Sequence, residues 1–455
     1  METNIKKVAP LSELNKRERG RQLAAFSLPI IIALTSQNLL NIIDTWIVGQ
    51  LGTLRLGAVA LAGNVNWVLS SFFIGLGSGV QAYVSRKVGE DDLDGAVGAL
   101  RRSLVFTVQT VIPFALLCAY LSDFAMSLLT SRADTEILGT SYLAARLAGL
   151  PFLAANFAFR GYWNGLGLAR IYLQTILVIH IVNVMCSMIL VFGAGPIPPL
   201  GVFGAGVGST IAQAIGTIYY VRLAMSRGPS QRFYHGGRTT ALRSLLRLGA
   251  PAGVQSMLFS LGFLAFFWIT DKLGPEALGA SHVLVTFALV SILPSVGIGL
   301  GAASLVGQSL GAGRPTDART WGWLALIAGT TFGLVTGLLA IFVAPDLLSI
   351  FIGGDPETVA LATMPLRIIG LVMIVDASGV VLSNTLIGAG AAKQVMIWSL
   401  ATQWGIFLPV AWYFGLQAGY GLIALWIGFA VYRLIFGAAM IWAWRGDSWL
   451  RHQVI

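Results

Sequence analysis

Apolar residues in this chain come in long blocks, with the polar ones gathered between them. Eight windows hold no Asp, Glu, Lys or Arg: 22–43, 56–85, 103–122, 171–221, 248–270, 277–313, 320–345 and 394–432. A helix needs about 20 largely apolar residues to cross the hydrocarbon of a bilayer, and only helices and closed barrels satisfy their backbone groups there. The windows 171–221 and 394–432 each fit two crossings around a Gly/Pro-rich or Gly-rich turn, FGAGPIPPLGVFGAG and FGLQAGYG. Segments 138–160 and 362–388 are apolar but carry a few charges. The pattern predicts twelve spans, over 22–49, 57–85, 98–121, 138–160, 168–193, 203–225, 248–270, 278–308, 320–344, 362–388, 394–416 and 420–444. The expected fold class is an all-α polytopic membrane protein with twelve transmembrane helices.

Composition agrees. Of 455 residues, 56% are hydrophobic and only 11% charged, with a mean hydropathy of +0.79. Soluble domains carry about 25% charged residues, so a large soluble helical protein is excluded. The 54 glycines suit helices that approach closely in lipid. Cys118 and Cys186 lie in apolar runs, too few for a disulfide framework and without metal-site spacing. The first 22 residues are polar and basic and lack an early apolar stretch, so no cleavable signal peptide is expected.

An even number of spans puts both termini on one face. The tails and even-numbered connections carry 23 of the 29 Lys and Arg residues. Arg55, Arg132, Lys272 and Arg367 fall on the other face, and Arg146 and Arg433 within spans. The positive-inside rule makes the rich face, with both termini, cytoplasmic. The net charge of +10 is thus topogenic and calls for no nucleic-acid partner. Arg227, Arg232, Arg238, Arg243 and Arg247 of the central connection read the same way.

The two halves align at an offset of 222 residues: Pro29 with Pro251, LGTLRLGA (51–58) with LGPEALGA (273–280), Gly77 and Gly79 with Gly299 and Gly301, Val84 with Val306, Gly89 with Gly311. A period that long implies two six-helix lobes of one topology, related by an axis along the membrane normal. The expected organisation is a cytoplasmic tail (1–21), an N-lobe (22–225), a cytoplasmic linker (226–247), a C-lobe (248–445) and a cytoplasmic tail (446–455).

Ionisable groups inside a bilayer are expensive and usually face a cavity or a partner. Five qualify: Asp44, Arg146, His180, Asp376 and Arg433. Arg146 and Arg433 are long enough to snorkel or pair, and His180 reads as a core or pore-lining group. Asp44 is the most informative, because its counterpart at the repeat offset is Phe266, so the acid is no part of the shared scaffold. A carboxylate there can carry a proton or hold a monovalent cation, and either event tips a helix bundle whose two states bind the ion unequally. Asn41, one turn earlier, is placed to share that ion, and Pro29 permits a kink. No His-Glu-x-x-His, paired-Asp, Ser/Lys or Ser/His constellation points to an enzyme, and the glycines of GLGSGV and GIGLGAAS lie in spans without a βαβ setting.

IIDTWIVGQLG followed by LGAVALA resembles the first-helix signature of the MATE family, multidrug and toxic compound extrusion transporters, and GIGLGAASLVGQSLGAG (297–313) resembles its helix-8 end and loop. The nearest resemblance is to the prokaryotic NorM/DinF-like branch. It implies export of amphipathic, often cationic compounds against inward H⁺ or Na⁺, with no other cofactor, by a monomer in the bacterial cytoplasmic membrane. It implies ion coupling at Asp44, assisted by Tyr142 and Asn183, with Pro29 as a conformational hinge and Asp376 matching an acid of helix 10. Na⁺ would then sit at Asp44 or Asp376, and Asn41 and Ser187 are candidate substrate contacts in the N-lobe or central cleft. Two departures matter. The second N-lobe acid of some members is Ser187 here, and the helix-7 Glu of NorM-like members is missing, with Phe259 and Ser260 near its place. The reading leans to protons. A flippase for lipids or lipid-linked saccharides, from the same superfamily, is the alternative.

Overall fold

The computed structural model describes residues 7–227, 242–352 and 356–451. Among them the only β pairing is an isolated bridge between Ala194 and Ile197, and the rest of the regular structure is helical. The membrane-length helices are α1 (Lys16–Gly49), α2 (Thr53–Gly89), α3 (Leu93–Tyr120), α5 (Ala169–Phe192), α6 (Gly201–Arg227), α7 (Leu242–Asp271), α8 (Pro275–Gly311), α9 (Pro315–Phe342), α10 (Pro356–Gly388), α11 (Ala392–Gln417) and α12 (Gly421–Arg445). The remaining span, α4, is a pair, Ala133–Ala148 and Leu150–Gly165, bent by 43°. The span expected at 138–160 is thus broken within itself. Pro151, at the start of the second segment, has no N–H to continue the ladder of the first.

Most helices outrun their apolar windows by about a turn, because polar caps and charged end residues continue a helix into the interfacial layer. Asp92 shows how: its carboxylate accepts from the Gly95 N–H at 2.8 Å and starts α3 five residues before the expected boundary.

The repeat extends to element boundaries. α2 and α8 begin at Thr53 and Pro275 and end at Gly89 and Gly311; α3 and α9 begin at Leu93 and Pro315 and end at Tyr120 and Phe342, each pair 222 residues apart. A short helix follows in both halves, Ser122–Ser127 and Ala344–Ile352. The residues before α2 and α8, Gly52 and Gly274, have φ of 103° and 115°, so the LG turn demands glycine in both halves.

Contacts divide the chain into two units. Among the described residues, one comprises 7–8, 32–227 and 242–253, the other 9–31, 254–352 and 356–451. The divisions expected from sequence fell between helices; those of the contact map fall inside α1 and α7, two residues after Pro29 and Pro251. Within the first unit, a Cβ on Gly79 of α2 would lie 2.8 Å from the Gly249 Cα of α7. Within the second, a Cβ on Gly301 of α8 would lie 2.9 Å from the Ser27 Cα of α1. These two contacts are counterparts at the repeat offset. The 226–247 linker lies largely outside the described residues; what is described shows α6 ending at Arg227 and α7 beginning at Leu242. The C-terminal tail is anchored at Trp449, which is buried and stacked on Trp444 with ring centroids 4.2 Å apart.

Candidate functional site: a charged cavity in the first unit

In the first unit, helices α1, α2, α4, α5 and α6 enclose a cavity of about 240 Å³. Small residues make the enclosure possible. A Cβ on Gly206 of α6 would lie 3.0 Å from the Tyr142 carbonyl oxygen of α4, and one on Gly208 would lie 2.9 Å from the Ser187 nitrogen of α5. The Thr210 hydroxyl donates to the Ala145 carbonyl at 2.7 Å and ties α6 to α4.

That packing gathers polar groups in an otherwise apolar wall. Asp44 and Asn41 come from α1, Tyr142 and Arg146 from successive turns of α4, Ser187 from α5 and Ser209 from α6. Asn183 sits one turn before Ser187. It accepts from the Ser187 hydroxyl at 2.9 Å and donates to the Ser209 hydroxyl at 3.4 Å, and its side chain reaches the Asp44 carboxylate. Arg146 and Tyr142 both act on that carboxylate through space. Asp44 Oδ1 and Arg146 Nε are buried without a hydrogen-bond partner. A buried carboxylate oxygen left open in a cavity is a place for a proton or a small cation.

Asp44, Tyr142 and Asn183, grouped by the resemblance, lie together in the first unit, and Asn41 and Ser187 line the same cavity. Pro29 does not; it lies fifteen residues earlier on α1, in the second unit. His180 is turned to Gln37 of α1, its Nε2 3.2 Å from the amide oxygen.

Asp376 has a different setting. It is buried in the second unit, where it forms an ion pair with Arg433 of α12. The Arg433 guanidinium donates to the Tyr432 hydroxyl at 3.2 Å and lies 5.4 Å and 5.6 Å from the Tyr432 and Phe436 ring centroids. The second unit also fills the position corresponding to Asp44: Phe266 is fully buried against Phe407 and Trp426, with centroids 5.3 Å and 5.5 Å away.

Two residues escaped the sequence reading. Ser209 carried no signal beyond a serine in a Gly/Ala-rich helix. Arg160 counted as an inner-face charge at a span end, but α4 continues to Gly165 and the residue is 8% exposed, over the Phe157 ring at 4.7 Å and bonded to Tyr172. A longer apolar window, 147–165 with Arg160 as its lone charge, was the available clue.

Comparison with known proteins bears on this site. A family model, MatE, matches residues 29–189 and 251–413, more than half of the chain. A probable multidrug resistance protein NorM of Burkholderia pseudomallei is 29% identical over 439 residues, covering 93% of this chain and 91% of the relative. A probable multidrug resistance protein YoeA of Bacillus subtilis is 24% identical, covering 90% of each. Among solved structures, MATE in complex with MaL6 superposes with a TM-score of 0.85 at 18% identity, covering 94% of this chain and 96% of that one. A MOP superfamily transporter from Pyrococcus furiosus gives 0.83 at 19%, covering 96% and 97%. At those identities the structures speak for the fold alone.

Proposed function

The chain belongs to the MatE family and is a multi-span membrane transporter, not an enzyme; on that premise we propose that it exports amphipathic, often cationic compounds in exchange for an inward-moving H⁺ or Na⁺ bound at Asp44. The observation that carries this reading is the unpartnered Asp44 oxygen beside the cavity of about 240 Å³, with Tyr142, Asn183 and Arg146 around it. The names of the relatives support the substrate class, since both are described as multidrug resistance proteins. Occupation of Asp44 by the ion changes the charge of the cavity by one unit, and substrate then favours the opposite state of an alternating-access cycle. Tyr142 and Asn183 hold the carboxylate in place, while Asn41 and Ser187 supply polar contacts to cargo. Pro29 serves as the hinge of α1. Asp376, paired with Arg433, serves the second unit as a fixed ion pair and binds a coupling ion only when that pair opens. The setting is a bacterial inner membrane, with both termini on the cytoplasmic side.

The test is Asp44→Asn in proteoliposomes under separately imposed pH and Na⁺ gradients, with a fluorescent organic cation as cargo. Gradient-driven export is expected to fall by at least tenfold with the fold retained. Full gradient dependence in the Asn variant would remove Asp44 from the coupling step.

A further inference from the structure

Arg146 has no task in the reading above. It sits one turn after Tyr142 on α4 and borders two cavities at once. One is the Asp44 cavity. The other, of about 20 Å³, lies on its far side between Asn66, Ser209, Thr210 and Gln213, with room for about one water. Beyond it the polar contacts continue: Asn156 donates to Gln213 Oε1 at 2.8 Å and accepts from the Thr217 hydroxyl at 2.9 Å. The Arg146 guanidinium is a fixed cation, yet its Nε has no acceptor. It faces an acid whose own oxygen is open.

We infer, resting on Asp44 as the coupling site, that Arg146 is the resident counter-cation of that site and restricts it to protons by excluding Na⁺. A proton needs only the carboxylate oxygen, to which it bonds covalently. Na⁺ needs several oxygen ligands, and a low-dielectric site holds it far better when its net charge is negative. Here the negative net charge is what is missing. Neutral oxygens are at hand on Asn183, Ser187 and Ser209, but the second acid that would make the cage negative is absent at Ser187. With Arg146 present, the cavity is neutral when Asp44 is ionised, so a further cation gains nothing net by entering.

The charged and titratable groups around Asp44 fit this account. α4 offers Tyr142 and Arg146. α5 offers Asn183 and Ser187, with His180 turned away to Gln37. α6 presents Ser209, and α2 presents apolar side chains and Gly63. Arg146 is the lone cation in that set.

The experiment compares wild type, Arg146→Gln, Arg146→Lys, Arg146→Met and Asp44→Asn/Arg146→Gln in proteoliposomes, read by ²²Na⁺ binding and by dye export under a Na⁺ gradient without a pH gradient. Wild type and Arg146→Lys are expected to show neither. Arg146→Gln and Arg146→Met are expected to bind ²²Na⁺ saturably and to gain at least tenfold in Na⁺-driven export, both lost when Asp44 is also replaced. Saturable Na⁺ binding by wild type, or neutral variants that fold and remain indifferent to Na⁺, would overturn the inference. If Asp44→Asn alone keeps its pH-gradient dependence, the reading of the site fails first; if it loses that dependence while the neutral Arg146 variants stay Na⁺-blind, only the role given to Arg146 fails.

Discussion

Asp44 and Asp376 are both acids in apolar helices, yet their neighbours separate them. Asp44 lines a cavity and has a buried oxygen without a hydrogen-bond partner, whereas Asp376 is bound to Arg433 beneath Tyr432 and Phe436. Breaking a buried ion pair from one side strands the other charge and costs about 3–5 kcal/mol, while removing both costs far less. Asp376→Asn and Arg433→Gln are each expected to lower the melting temperature of the purified protein sharply, and the double variant to recover most of the loss. Strictly additive losses would mean that the two side chains do not act as a pair. The sequence announced all three charges, because any ionised group in such windows stands out, but not the pairing. Asp376 and Arg433 are 57 residues apart, and only the packing of α10 against α12 makes them neighbours. Asp44, Tyr142 and Asn183 were legible through the family resemblance. Ser209 and Arg160 were not: a serine is unremarkable in a lipid helix, and an arginine near a span end looks solvated until the helix is seen to run on.

Helices α2 and α8 show why the repeat was visible in glycines. In the first unit a Cβ on Gly77 would lie 2.7 Å from the Phe157 carbonyl oxygen, and one on Gly161 would meet the Gly77 carbonyl. In the second, a Cβ on Gly299 would lie 2.8 Å from the Val381 carbonyl oxygen. Backbone on both sides leaves no room to yield, so Gly161→Ala is expected to destabilise the protein by about 1–3 kcal/mol, as overpacking does. Gly57, also helical but with open space around its Cα, is the control: Gly57→Ala should be neutral or stabilising by up to about 1 kcal/mol. Thermal unfolding in detergent separates the two, and equal effects would refute the close approach. The same packing logic was not readable for α4. Its hydropathy is continuous across Gly149 and Pro151, so a window average sees one span where the backbone has a break. One turn departs from the glycine rule: Asp91, with φ of 61°, stands where the other half uses Gly313 at 69°, and forms an ion pair with Lys7.

At the scale of the molecule the informative feature is where the chain changes unit. It does so inside α1 and inside α7, two residues after Pro29 and Pro251, positions 222 apart. Hydropathy could not show this, because apolar residues continue across both points; only the contacts reveal that residues 9–31 belong with the second half and 242–253 with the first. A proline removes one ladder hydrogen bond, since it has no N–H, and its ring clashes with the carbonyl four residues back. Bending at that point is therefore cheaper than anywhere else in the helix. If α1 flexes there during transport, Pro29→Ala restores a hydrogen bond and stiffens the segment without touching the Asp44 cavity. The variant should fold with stability equal to or above wild type, bind protons at Asp44 as before, and export dye several-fold more slowly under the same pH gradient; Pro251→Ala should act similarly through α7. Export at the wild-type rate by both variants would show that the prolines are tolerated interruptions and that the helices move as rigid rods.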